Sequence, residues 1–293
     1  MRRFSIISIF AGMAMMASAV SPMHVKLYPD GAPSVNGLEN TPESITEKGY
    51  YTNVSDPELL VYLPDKGKST GQAMLVVPGG SYRNVCTPRE GDKTAQWLTD
   101  NGITAIVLKY RMPNGHYDIP LEDGAAAMHM IRDKADEWGY SRDNVGAIGF
   151  SAGGHFVSNL ITRYPDAEAR PEFAVLVYPV ISMNYSNAKT RENLLGDKSD
   201  DPQMRKAFST NENVHKDVPE TLIVLSDNDR LVKPENSLRF YRALKQNGIK
   251  AEMHIFPTGG HGFWMRDNFE HAAEAYPMVM RWIKQHDLST KTK

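Results

Sequence analysis

The 293-residue sequence predicts an α/β fold, a mostly parallel central sheet flanked by helices on both faces. Three observations lead there. Apolar runs of strand length alternate with amphipathic stretches from about residue 59 almost to the C-terminus, as in a sheet whose strands are joined by crossover helices. Several of these runs are apolar throughout, which a strand covered on both faces requires and a half-exposed one does not. Helix stop signals, Asn101-Gly102 and Asn247-Gly248, punctuate the series.

The elements follow in order. Residues 1–19 read as an export leader: Arg2 and Arg3 precede an apolar run over 4–17, and Ala17-Ser18-Ala19 offers small residues for cleavage after Ala19. The run is shorter than the ~20 apolar residues that cross a bilayer, so no stable membrane anchor is expected. The mature chain, 20–293, is expected to form one domain in the periplasm or cell exterior, its lone thiol Cys86 having no disulfide partner. After a Pro/Gly-rich entry over 29–42, strands are expected at 59–63, 73–77, 104–110, 145–150, 173–180, 221–225 and 252–256. Helices are expected over 92–100 and 237–246, and the spacing of Ile131, Ala135 and Trp138 predicts another on the sheet. The polar stretch 181–218, which carries Pro202, breaks the rhythm and reads as an insertion able to cover the active edge.

With 41% hydrophobic and 23% charged residues, the composition is that of an ordinary globular enzyme. A net charge of −2, without any long Lys/Arg block, leaves nothing to neutralise a phosphate backbone, which excludes nucleic-acid binding. No feature of the sequence specifies an oligomeric state.

Gly149-Phe150-Ser151-Ala152-Gly153 matches G-x-S-x-G. By composition alone such a pentapeptide arises by chance in roughly one chain in ten of this length. Here it directly follows a buried strand and opens a helix-like stretch, the setting in which small neighbours let a sharp turn carry a strained nucleophile. A serine hydroxyl needs a base, and the chain order Ser, acid, His says where to look. His261, in Gly259-Gly260-His261-Gly262-Phe263 just past the last strand, is the candidate base. His24, His129, His271 and His286 read as satisfied surface residues and His155 as structural. The loop after 221–225 offers Asp227 and Asp229; Asp229, deeper in the loop, is the candidate partner for the imidazole, and Asp227 reads as a turn residue. For the oxyanion hole, the amide of Ala152 with Gly80, and Ser81 beside it, are the candidates, since Pro78-Gly79-Gly80-Ser81-Tyr82 occupies the loop after the 73–77 strand. This is acyl-transfer chemistry, and it requires no metal and no organic cofactor.

With these residues in place the sequence resembles the α/β-hydrolase superfamily, and more narrowly the exported bacterial esterase and lipase group that includes acetyl xylan esterases and related carbohydrate esterases. The matching stretches are Val77-Pro78-Gly79-Gly80-Ser81-Tyr82, Gly149 to His155, Leu194-Leu195-Gly196, Asp229 to Ser237, and Gly259 to Phe263. The family's oxyanion loop more often has His where Pro78 stands and a third Gly where Ser81 stands. The resemblance implies the α/β-hydrolase fold and hydrolysis of O-acetyl groups on xylan-type or other plant polysaccharides, with a small-molecule or oligosaccharide ester as partner. Tyr82, Arg83, Tyr178 and Trp264, each next to a candidate loop, are expected to contact the sugar or acyl group. Two other readings stay open. One is a serine peptidase of the prolyl oligopeptidase type, whose usual extra propeller domain would not fit in 293 residues; the other is a non-catalytic binding module of the same fold.

Overall fold

The computed structural model describes residues 21–287; the expected leader, 1–19, lies outside the described residues. Eight strands form one sheet: β1 (Met23–Lys26), β2 (Glu58–Tyr62), β3 (Ala73–Val77), β4 (Thr104–Lys109), β5 (Val145–Phe150), β6 (Phe173–Val177), β7 (Glu220–Ser226) and β8 (Ala251–Phe256). Their spatial order is β1-β2-β4-β3-β5-β6-β7-β8. β1 and β2 pair antiparallel, as do β2 and β4, and every other pairing is parallel. The parallel strands therefore point their carboxyl ends to one edge, where the loops after β3, β5, β7 and β8 meet.

Successive residues of each strand face opposite ways, which divides the core in two. Leu75, Val77, Ile106 and Leu108 pack with Met128, Ile131, Phe156 and Leu160 on one face. Met74, Val76, Ala105 and Val107 pack with Leu98, Trp264, Val279 and Ile283 on the other. The helices Ile119–Asp133, Ala152–Arg163 and Glu235–Gln246 contribute to the first face, Thr94–Asp100 and Ala272–Gln285 to the second. Among the described residues no helix is long and apolar enough to cross a membrane.

Several boundaries differ from the sequence reading, each for a local reason. The expected 173–180 strand stops at Val177, because Tyr178 turns into the left-handed region at φ 39°. The 131, 135, 138 stripe spans two helices, Ile119–Asp133 and Ala135–Trp138, the second closed by Gly139 at φ 80°. The helix expected from 92 is α-helical only from Thr94, and a π-helical turn, Thr87–Lys93, precedes it. β1 and a small sheet of Ser44–Ile45, Tyr51–Thr52 and Asn84–Val85 were not expected. The stretch 181–218 is folded: the helices Ala188–Leu195 and Pro202–Ala207 are N-capped by Asn187 and Asp201, and Ile181, Met183, Leu194, Leu195 and Phe208 are buried against the core.

Candidate active site

Ser151 sits at the tip of the turn between β5 and the helix Ala152–Arg163, in a strained backbone conformation, φ 51° and ψ −117°. Its amide donates to the Val177 carbonyl at 3.1 Å and its carbonyl accepts from Val180 at 2.9 Å, so the end of β6 and the segment just past it hold the strained residue in place. The turn passes so close to β3 that a Cβ on Gly153 would run into the Val77 carbonyl oxygen. That contact is why the motif needs glycine there.

His261 arrives from the loop after β8. Its Nε2 lies 2.9 Å from Ser151 Oγ and its Nδ1 lies 2.7 Å from Asp229 Oδ2. Because a carboxylate only accepts, Nδ1 carries the proton, and Nε2 is left to accept from the Ser151 hydroxyl. Asp229 is 4% exposed, and its other oxygen accepts the amides of Leu231 and Val232, both at 2.9 Å. The preceding Asn228 accepts the Gly260 amide at 2.8 Å, tying the acid loop to the His261 loop. Asp227 is exposed and takes no part in the site.

The loop after β3 lies opposite. Gly80, Ser81 and Tyr82 have successive positive φ values of 134°, 56° and 57°, and a Cβ on Gly80 would collide with the Asn84 carbonyl. Among the described residues the amides of Gly80, Ser81 and Ala152 donate to no protein acceptor. Three struts hold this loop. Glu90 Oε2 accepts the Gly79 amide at 2.7 Å, Asn193 Nδ2 donates to the Ser81 carbonyl at 2.8 Å, and Tyr82 Oη bonds His155 Nδ1 at 2.8 Å. His155 Nε2–H in turn donates to the Phe208 carbonyl at 2.7 Å, which fixes Nδ1 as acceptor of the Tyr82 hydroxyl. Burial lowers the His155 pKa to about 4.

A cavity of about 320 Å³ opens beside Ser151 and His261, walled by Tyr50, Gly80, Ser81, Arg89, Glu90, Leu231 and Arg266. Cys86 also borders it, but burial pushes its thiol up, so it stays a neutral thiol. A larger groove of about 610 Å³ between Trp97 and Met280 holds none of the candidate residues.

Three of the four expected substrate contacts need correction. Tyr82, Tyr178 and Trp264 are at most 1% exposed and their polar atoms are already bonded, to His155, Glu90 and Thr94 respectively. They support the loops from beneath; the Tyr178 ring, for instance, packs 4.9 Å from the His261 ring. Arg83 is exposed and lines a groove of about 420 Å³ with Gly80, Ser81, Lys189 and Asn193. His24, His129, His271 and His286 all lie outside the site, bonded to Glu58, Asp166, Thr258 and Glu220. The sequence reading missed Arg89, Glu90, Asn228 and Arg266. Arg89 and Glu90 enter through the π-helical turn, which no local pattern announces.

The strand order and the serine turn at the carboxyl edge define an α/β-hydrolase. The chain belongs to the prolyl oligopeptidase family, whose profile matches residues 114–288, a span that includes Ser151, Asp229 and His261. Over 255 residues it is 33% identical to the acetylxylan esterase of Xylanibacter ruminicola, covering 84% of this chain and 52% of that one. Over 221 residues it is 32% identical to endo-1,4-beta-xylanase B of Butyrivibrio fibrisolvens, covering 70% of this chain and 34% of that one. The chain thus spans about half or less of the curated relatives it matches. Its structure superposes on the crystal structure of an acetyl ester-xyloside bifunctional hydrolase from Caldicellulosiruptor lactoaceticus with a TM-score of 0.77 at 28% identity, covering 92% of this chain and 98% of that one.

Proposed function

We propose that the chain is an exported serine esterase that removes short acyl groups, O-acetyl above all, from xylan-type saccharides. The observation that carries this reading is the continuous contact from Asp229 through His261 to Ser151, beside a loop with free amides. Ser151 Oγ attacks the ester carbonyl as its proton passes to His261 Nε2. The tetrahedral oxyanion takes the Ala152 amide and that of Gly80 or Ser81, each donor being worth on the order of 100-fold in rate. Collapse returns the proton from Nε2 to the departing sugar oxygen and leaves an acetyl-serine. Water, deprotonated by the same nitrogen, then releases acetate and restores the hydroxyl. Asp229 holds the tautomer and stabilises the imidazolium.

The relatives' names support the acetyl-xylan substrate, and the small cavity suits a short acyl chain. Export rests on the leader pattern at 1–19. A second reading, a serine peptidase, is favoured by the family match and by a 23% identity over 252 residues to the acylamino-acid-releasing enzyme of Arabidopsis thaliana. Assays on p-nitrophenyl acetate, longer p-nitrophenyl esters, acetylated xylan and an aminoacyl-proline amide separate the two. The esterase reading expects acetate release and a preference for short chains. Cleavage of the amide with no activity on acetylated xylan overturns it.

A further inference from the structure

The π-helical turn Thr87–Lys93 supplies two adjacent charged residues to the site, one for each of the loops that face Ser151. Arg89 donates to the Gly262 carbonyl at 3.1 Å, on the His261 loop. Glu90 accepts the Gly79 amide with Oε2 at 2.7 Å and the Tyr178 hydroxyl with Oε1 at 2.9 Å. A wide turn of this kind places consecutive side chains where an α-helix would not, and such turns recur at functional sites. The turn is itself anchored: Thr94 Oγ1 donates to the Arg89 carbonyl and accepts from Trp264 Nε1, both at 3.1 Å.

Gly79 immediately precedes the run of three positive-φ residues whose first two amides, those of Gly80 and Ser81, are the oxyanion candidates. Its own N–H is directed into the Glu90 carboxylate, which settles the plane from which the next two peptides turn. Tyr178 connects the same carboxylate to the His261 ring. Both partners of Glu90 donate to it, so an ionised carboxylate satisfies both at once; an amide side chain has one acceptor, and its NH₂ would face the Tyr178 hydroxyl, which must then turn to accept and give up its own donated bond. Burial raises the Glu90 pKa, and the Gly79 and Tyr178 donors oppose that shift.

We propose that Glu90 is the positioning residue of the oxyanion loop: its two acceptor oxygens lock Gly79 to Tyr178 so that the Gly80 and Ser81 amides meet the oxyanion. Both Glu90 oxygens are taken by Gly79 and Tyr178, so it acts through the loop. The proposal rests on the serine esterase reading, and it concerns the transition state more than the bound ester. Misaligned donors therefore lower kcat and leave KM largely alone.

The test uses the full chain, wild type beside Ser151→Ala, Glu90→Gln and Glu90→Asp, with p-nitrophenyl acetate as substrate and phenylboronic acid as a mimic of the tetrahedral adduct. Thermal melts confirm that each variant is folded. Glu90→Gln is expected to lose about 100-fold in kcat with KM within about threefold, and to bind the boronic acid correspondingly more weakly. Glu90→Asp keeps the charge but is one methylene short of both donors; it is expected to lose at least about tenfold in kcat. Wild-type kcat in either folded variant, or a loss seen in KM alone, overturns the proposal. An inactive wild type, or full activity in Ser151→Ala, instead overturns the esterase reading on which it rests.

Discussion

Asp229 and Asp227 stand two residues apart in one loop and differ in everything that matters to an imidazole. Asp229 is buried, held by two backbone amides and pointed at His261 Nδ1, whereas Asp227 is exposed. An asparagine at 229 would keep an acceptor for the backbone but present either its NH₂ or a poorer acceptor to Nδ1, destabilising the tautomer that leaves Nε2 free. Asp229→Asn is therefore expected to lower kcat by about 10³- to 10⁴-fold on p-nitrophenyl acetate, and Asp227→Asn to leave it within about twofold. Equal losses in the two would contradict this assignment. At the same scale, the aromatic residues that adjacency nominated for substrate contact turned inward. Tyr82 and Tyr178 follow sharp turns at φ 57° and 39°, and such turns send neighbouring side chains to opposite sides of the loop. The sequence shows that these residues flank the site, but which side they face is decided by backbone conformation.

Elements buried on both faces were the legible ones. β3, β5 and β6 are apolar at nearly every position because helices cover both sides, and their starts were readable to the residue. β1 was not, since Met23, His24 and Lys26 are exposed and the strand is held by its backbone pairing with β2. The strands Ser44–Ile45, Tyr51–Thr52 and Asn84–Val85 are two residues long, too short to carry any period. Glu90 and Arg89 were hidden for a related reason, because a π-helical turn is a product of tertiary contacts. The serine turn, the acid loop and the His261 loop were readable because each needs particular small or polar residues in a fixed chain order. One inter-element tie has a clear energetic consequence. Arg111, 1% exposed, makes two bonds through Nε and Nη2 to Asp123 on the helix Ile119–Asp133, which is itself fully buried. Removing the cation strands that carboxylate, so Arg111→Met is expected to cost about 3–5 kcal/mol in urea unfolding. A loss below about 1 kcal/mol would show that Tyr28 and the Arg111 amide alone satisfy Asp123.

The whole molecule should register the buried histidine through its stability. His155 links the loop after β3 at Tyr82 to the 181–218 stretch at Phe208, and its pKa of about 4 lies below the ordinary imidazole value. The folded state therefore takes up fewer protons than the unfolded chain as pH falls. This contribution is present in full above about pH 6.5 and is lost as pH falls toward 4, amounting to roughly 2 kcal/mol between pH 7 and pH 5. Urea unfolding of the wild type and His155→Gln at both pH values reads it: the variant is expected to lose less stability over the interval, and identical losses would place the titration elsewhere.

All of the proposed chemistry depends on Ser151 being the group that becomes acylated. A fluorophosphonate probe, which bonds covalently to a hydroxyl activated by an adjacent imidazole, followed by peptide mass spectrometry, tests this most directly. One equivalent of label on Ser151, rising in step with the loss of esterase activity and absent in His261→Ala, is the expected result. Label on any other residue, or full inactivation with Ser151 unmodified, would contradict the mechanism.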